Sequence, residues 1–339
     1  MTSGMRSHMA RGLDPVTVEL IRNNFLSVCE EMAESLVRSA HSPNIKERRD
    51  CSCGLYTASG DMAVQAEHIP VHLGVMPYAL RHILDAFPPA AMGPGDIFIV
   101  NDPYHGGNHL PDFIVAGPLF LEGRLMGFAA SMAHHNDVGG MAPRSMPAAA
   151  VEIFQEGLRI PPVRLGQGWK VDPAMLTLIT ANSRTPGERV ADLNAQVAAV
   201  KLAQRRLEEF SDRFGADLID AGLRDIISRS ETAMRSVIAA LPAGEWRGES
   251  FADFNGHLVA IRVRLATASD GTLTVDFTGT EGATASPFNS CYANTCACVF
   301  MALRVALASD IPPNGGLYGV LDIRIPDGTI LNPSYPAAV

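Results

Sequence analysis

Nine of the ten histidines in this 339-residue chain precede residue 136, and seven fall between His68 and His135. Imidazoles gathered beside carboxylates are the raw material of a metal site. His109 and Asp112 stand three apart in Asn101-Asp102-Pro103-Tyr104-His105-Gly106-Gly107-Asn108-His109-Leu110-Pro111-Asp112. Two prolines and two adjacent glycines oppose a helix there, so these donors are expected on irregular backbone. A second run, His134-His135-Asn136-Asp137, follows the next apolar stretch and precedes Gly139-Gly140. Two His plus an Asp or Glu is the combination that holds Zn, Mn or Fe(II) while leaving positions open for water or substrate. His109, Asp112 and His134 are therefore candidate ligands of a divalent ion.

A fourth donor is available from Glu47, in Lys46-Glu47-Arg48-Arg49-Asp50, or from Glu67, in Glu67-His68-Ile69-Pro70-Val71-His72. Spacing does not choose between them, and each serves equally well as the partner of a neighbouring arginine. His8, His41, His82 and His257 read as ordinary hydrogen-bonded residues. The pairs Cys51-x-Cys53 and Cys296-x-Cys298 have one-residue spacings, too short for a C-x₂₋₄-C zinc clamp, and lie in apolar stretches, so they read as small buried thiols. Arg184, in Asn182-Ser183-Arg184-Thr185-Pro186, and Asp192 on the following helix have two readings. The guanidinium can fork onto a substrate carboxylate, or the two can serve helix-end salt bridges, which is the more ordinary account.

The composition narrows the class. With 27 Lys plus Arg against 36 Asp plus Glu, the net charge is −9, which argues against nucleic acid and against an anionic membrane surface. Hydrophobic residues make up 47% and charged residues 19%, too apolar for a disordered chain. No apolar run reaches the length of a membrane span. Six cysteines in so long a chain fall far below the density of a disulfide scaffold, so reduced thiols and a cytoplasmic setting are expected. There is no G-x-x-x-x-G-K-[ST] loop, no G-x-G-x-x-G, no G-x-S-x-G and no H-E-x-x-H, so any ATP the reaction needs must be held by another chain.

The elements that must position the donors alternate in kind. Residues 1–12 read as a loose leader. Asp14-Pro15 opens a helix with Val18, Ile21, Phe25, Val28, Met32 and Leu36 at helical steps, ending near Ser42-Pro43. Cys53–Tyr56 and Met62–Gln65 read as a hairpin across Ala58-Ser59-Gly60-Asp61. A helix is expected over Pro77–Phe87, strands over Ile97–Val100 and Leu125–Met132, and irregular chain from Pro161 to Pro186. Glu188–Arg213 and Ala216–Ala240 form a helical hairpin broken at Gly215. Period-two patterns over Leu258–Leu265 and Leu273–Phe277, a buried helix over 291–307 and a strand over Val320–Ile325 complete a β-rich end. The expectation is a mixed α+β fold: a metal and active-site region over 13–186, a helical hairpin over 187–243 and a β-rich region over 244–339. That last region, without a terminal helix or charged tail, is expected to be cut short.

Taken in order, Asp14-Pro15-Val16-Thr17, Ile45–Asp50, Ala66-Glu67-His68-Ile69-Pro70-Val71-His72-Leu73-Gly74, Asn101-Asp102-Pro103-Tyr104, His109-Leu110-Pro111-Asp112, Ala133-His134-His135, Glu152-Ile153-Phe154-Gln155-Glu156-Gly157-Leu158 and Asn182-Ser183-Arg184-Thr185-Pro186 resemble the hydantoinase B/oxoprolinase family. The resemblance runs over essentially the whole chain, although Ala191 stands where the family usually has Gly and family chains generally continue further. It implies the B-type subunit of an ATP-dependent enzyme that opens a cyclic amide such as a hydantoin, 5-oxoproline or a lactam. A partner A-type ATPase subunit would phosphorylate the substrate, making the assembly a hetero-oligomer. The same family includes the metal-bearing subunit of ketone carboxylases, the alternative reading. A scaffold subunit that does no chemistry is the third. The family's metal ligands carry over onto His109, Asp112 and His134, with the acidic fourth ligand placed at Glu47 and Glu67 as its competitor. His135 or Asp137 is expected to carry the proton, with Glu67, His68, His105 and Arg184 as substrate-side or supporting candidates.

Overall fold

A computed structural model describes residues 13–66, 69–254, 256–307 and 310–339. Asp14 caps the first helix, α1 (Pro15–Ser39), its carboxylate accepting from the Val16 and Thr17 amides. Pro15 takes the first helical position, where no N–H is needed. After the single turn α2 (Pro43–Lys46), strands β1 (Cys51–Thr57) and β2 (Met62–Ala66) form the expected hairpin, with Gly60 at φ 86° in its turn. Then come α3 (Pro70–Ala86), β3 (Ile97–Val100), β4 (Asp112–Leu121), β5 (Arg124–His134), β6 (Val163–Gln167), β7 (Lys170–Val171) and α4 (Pro173–Ala181). The long helices α5 (Pro186–Phe214) and α6 (Ala216–Ala239) meet at Gly215, φ 78°. The chain finishes with β8 (Glu245–Phe254), β9 (His257–Thr267), β10 (Leu273–Asp276), α7 (Tyr292–Leu307), α8 (Gly315–Tyr318) and β11 (Leu321–Arg324). The mixed α+β class read from the sequence is the one observed.

Strands β2-β1-β5-β4-β3-β6-β7 form one sheet, antiparallel at every pairing. Its alternation divides the core. Ile97, Ile99, Phe113, Val115, Ala129 and Ala133 face α1 and α5, whereas Phe98, Val100, Ile114, Ala116, Ala130 and Met132 face α3. Each fully buried Ile or Phe here contributes about 1.5–3 kcal/mol. Helix α7 backs α3 so closely that a Cβ at Gly74 would sit 2.4 Å from the Ala297 Cα. A second sheet, β11-β10-β9-β8, is parallel between β10 and β11 and packs with α6 and α7 around a separate cluster containing Met234, Val275 and Phe300.

Several local readings need correction. Asp112 does not sit on irregular backbone: it is the first residue of β4, a strand with no period-two signal because it is buried on both faces. Pro118 is tolerated in this central strand because it lies beyond Ile114–Ala116, the stretch of β4 that β3 pairs. Helix α3 starts at Pro70, so Pro77 lies inside it rather than opening it. The stretch from Pro161 to Pro186 holds β6, β7 and α4, whose short lengths hid them. Strand β8 is exposed along most of its length, so no buried face marked it.

Candidate metal centre

The pairing of β4 with β5 sets Asp112 directly opposite His134, at the start of one strand and the end of the next. Both share the alternation of Ile114 and Met132 and so emerge toward α3. His109 is brought back by a turn in which the Asp112 amide donates to the His109 carbonyl at 2.9 Å. Three donor atoms thereby converge. His109 Nε2 lies 3.1 Å from His134 Nδ1 and 3.1 Å from Asp112 Oδ1, and His134 Nδ1 lies 3.0 Å from the same oxygen. The other oxygen, Asp112 Oδ2, accepts from Asn108 Nδ2 at 2.7 Å, which fixes the carboxylate's rotation.

The donor set fits a divalent cation. Donors held at about 2.1 Å and adjacent on an octahedron stand about 3.0 Å apart, the separation seen for all three pairs. Burial by itself would raise the Asp112 carboxyl, but the two imidazoles hold it well below the usual carboxylate range. Burial by itself would lower His109, and the Asp112 carboxylate more than reverses this and raises it. The group opens onto a cleft of about 580 Å³.

Beside the triad stand two groups the sequence reading did not single out. Asp50, just before β1, places Oδ2 4.0 Å from His134 Nδ1, and its carbonyl accepts from the His134 amide at 3.0 Å. His72, on α3, meets Asp50 Oδ1 at 3.8 Å through Nε2 and Ser52 Oγ at 3.0 Å through Nδ1. Burial pushes its imidazole pKa down, so it stays neutral near pH 7. The available signal was Asp50 at the end of the Lys46–Asp50 run and His72 four residues after His68.

The remaining candidates separate. Glu47 lines the cleft but forms no ion pair within 4 Å of either imidazole, which leaves Asp50 as the carboxylate nearer His134. Glu67 and His68 lie outside the described residues. His135 points to the opposite face because strand alternation turns it away from His134. It stacks on Phe113 at 4.2 Å and meets Gln196 Oε1 at 2.9 Å. It is not among the residues lining the cleft, and burial drives its pKa down to about 3. Asp137 is also occupied, accepting from the Gly139, Arg144 and Arg184 amides and from Arg184 Nη1. Arg184 further donates to the carbonyls of Gly139, Gly140 and Ala142, a loop clamp rather than a substrate fork. His105 is taken up by Asp102 at 2.8 Å, which also binds Arg159. Cys51, Cys53 and Cys296 are buried, as expected, whereas Cys298 is exposed. Burial pushes all these thiols up, and Cys51 reaches about 12.

An antiparallel sheet faced by helices, with a His–Asp–His group opening onto a cleft where two central strands emerge, defines an α+β protein. The chain belongs to the Hydantoinase B/oxoprolinase family, whose model matches residues 14–339. It is 31% identical over 96% of its length to 5-oxoprolinase 1 of Arabidopsis thaliana, covering 28% of that protein. It is 30% identical over 96% of its length to the B-type subunit of a putative D-/L-hydantoinase from a Pseudomonas strain, covering 58%. An uncharacterized protein of Methanocaldococcus jannaschii is 35% identical, again with 58% of its length covered. Among solved structures, the ATP-dependent caprolactamase of Pseudomonas jessenii superposes with a TM-score of 0.88 at 28% identity, over 96% of this chain and 56% of that one. Nucleotide-free acetone carboxylase shares the fold at a TM-score of 0.88 and 22% identity, over 98% of this chain and 46% of that one. The chain thus spans little more than half the length of even the shorter relatives. No helix among the described residues is long and apolar enough to cross a membrane.

Proposed function

We propose that this chain is the B-type subunit of an ATP-dependent cyclic amidohydrolase, acting on a ring activated by a partner A-type subunit. The convergence of His109 Nε2, Asp112 Oδ1 and His134 Nδ1 within 3.1 Å of one another carries this reading. The residues fit a divalent ion, Mn, Zn or Fe(II), which when bound polarises a carbonyl oxygen and lowers the pKa of a water. The chain's own part is to hold that geometry. Asn108 fixes the Asp112 carboxylate, and the β4–β5 ladder fixes the two ligands it carries. The His72 imidazole, backed by Ser52, lines the cleft and takes the proton-handling role for which His135, on the opposite face of the sheet, is out of reach. The similarity to proteins named as a 5-oxoprolinase, a hydantoinase and a caprolactamase supports the substrate class.

The test combines the chain with its A-type partner, ATP and a panel of 5-oxoproline, hydantoin and caprolactam, measuring metal content and ring-opened product. His109→Ala and Asp112→Ala are expected to lose both metal and turnover. Unchanged values in both variants overturn the proposal. Retention of labelled bicarbonate in the product would assign the chain to a carboxylase instead.

A further inference from the structure

The metal cleft has a second chemical feature, which the triad does not use. Arg48 and Arg144 both line it, from two separate segments of the chain. Among the described residues, neither guanidinium makes an ion pair or hydrogen bond, whereas Arg184, Arg159 and Arg189 are all engaged. Arg48 comes just after Glu47, the C-cap of α2. Arg144 is presented by a strained turn. It and Ser145 adopt successive left-handed conformations, φ 68° and 54°, which cost a non-glycine residue about 1–3 kcal/mol each. Asp137 holds this turn through the Arg144 amide, and Ser145 Oγ holds it by accepting from Val138 N and donating to Gly139 O. The fold thus commits strain and a buried carboxylate to a loop whose exposed product is one free guanidinium in the cleft.

Charge gives the chemistry. Counting only carboxylates and guanidinium groups among the described residues that line it, Glu47, Asp50 and Asp112 outnumber the two arginines by one, and a divalent cation reverses that balance to one net positive. Guanidinium forks match carboxylate and phosphate oxygens. We infer that Arg48 and Arg144 form an oxyanion-binding pair, so that the ligand accepted in this cleft carries a carboxylate or a phosphoryl group beside the bond that reacts. The inference rests on the proposed function for the identity of the cleft and adds the class of ligand it selects.

The experiment titrates the full chain, loaded with Mn(II), with inorganic phosphate, with L-5-oxoproline, and with 2-pyrrolidinone as the same ring without its carboxylate. Arg48→Gln, Arg144→Gln and the double variant are compared by calorimetry. Both side chains are exposed and have no partner among the described residues, so metal content is expected to stay at the wild-type level. Each single variant should weaken an anionic probe by about tenfold or more, leaving 2-pyrrolidinone unchanged. Loss for phosphate alone assigns a phosphoryl ligand, loss for 5-oxoproline alone assigns the ring carboxylate, and loss for both assigns a shared subsite. Variants that hold both anions as well as the wild type, or a wild type that holds neither, overturn the inference. The same titrations on the metal-free chain keep the two readings apart. A triad that takes up no metal overturns the proposed function, while the arginines are judged on anion binding in either state.

Discussion

His134 Nδ1 and Asp112 Oδ1 face each other at 3.0 Å across the β4–β5 ladder, from residues that are register partners. Backbone pairing, not loop flexibility, therefore sets their separation. Neutralising this donor should loosen the ion: Asp112→Asn, which keeps an oxygen but loses the charge, is expected to lower Mn(II) or Zn(II) affinity by more than the factor of about 10–100 typical of losing a supporting partner. Asn108→Ala, which frees only the carboxylate's rotation, should fall within that factor. Calorimetric titration of both variants checks the order, and equal affinities would show that Asp112 is not a ligand.

The same pair sets a pH dependence. Asp112 raises the metal-free His109 above its ordinary 6.5, so a proton competes for the ligand nitrogen at higher pH than usual. Metal affinity should fall as pH drops, starting above the ordinary imidazole range. Asp112→Ala should move the remaining His109 titration downward, which NMR of the imidazole protons in the metal-free chain would record.

Asp192 shows how α5 supports the cleft from below. Its Oδ1 accepts from the amides of His41 and Ser42, at 2.8 and 3.2 Å, just ahead of α2, and its Oδ2 meets Arg189 Nη2 at 3.0 Å, with both side chains fully buried. Among the described residues, Asp192→Ala leaves the buried guanidinium with only the partly exposed Glu188, 3.4 Å from Nη2, as its counter-ion. A loss of about 3–5 kcal/mol is expected in urea unfolding. The apolar pair Asp192→Leu with Arg189→Met should cost less than the single change, which separates the buried charge from the packing around it.

Arg184→Lys is a local test of the loop clamp. An ammonium cannot span the carbonyls of Gly139, Gly140 and Ala142 while also reaching Asp137. Hydrogen exchange over residues 139–146 should quicken by about tenfold or more, equivalent to roughly 1.4 kcal/mol of local stability, with α1 and β5 unchanged. Unaltered exchange in that loop would contradict the clamp.

These relationships divide what sequence could reveal from what it could not. The donors His109, Asp112 and His134 stood out because residue type and clustering are local properties, and α1 stood out because its cap, proline and apolar stripe all agree. Strand alternation over His134-His135 decides which imidazole enters the cleft, and that parity depends on a β4 whose two buried faces erase the period-two pattern. Asp50 and His72 come from other elements, joined to the triad only when β1 pairs with β5 and α3 packs on that face. Arg184 and Asp192 were recognisable as a charged pair of positions, but their actual partners, Asp137 and Arg189, follow from tertiary contact.

Glu156 tests the electrostatics behind the cleft. Burial raises its carboxyl from 4.5 to about 7, even though it accepts from Val339 N at 2.8 Å and feels the nearby His109. The folded state therefore prefers the protonated acid. Its contribution to stability is complete below about pH 4.5 and is lost as pH rises through about 7, amounting to at most about 3 kcal/mol by linkage. Glu156→Gln retains an oxygen for the Val339 amide and cannot ionise. In chelator-treated protein the variant should exceed the wild type in urea unfolding by under about 1 kcal/mol at pH 5 and by about 2–3 kcal/mol at pH 8. Adding Mn(II) should narrow the gap at pH 8, because a cation beside His109 favours the ionised carboxylate of the wild type. A difference that stays constant from pH 5 to pH 8 would mean that Glu156 ionises as freely in the fold as in the unfolded chain.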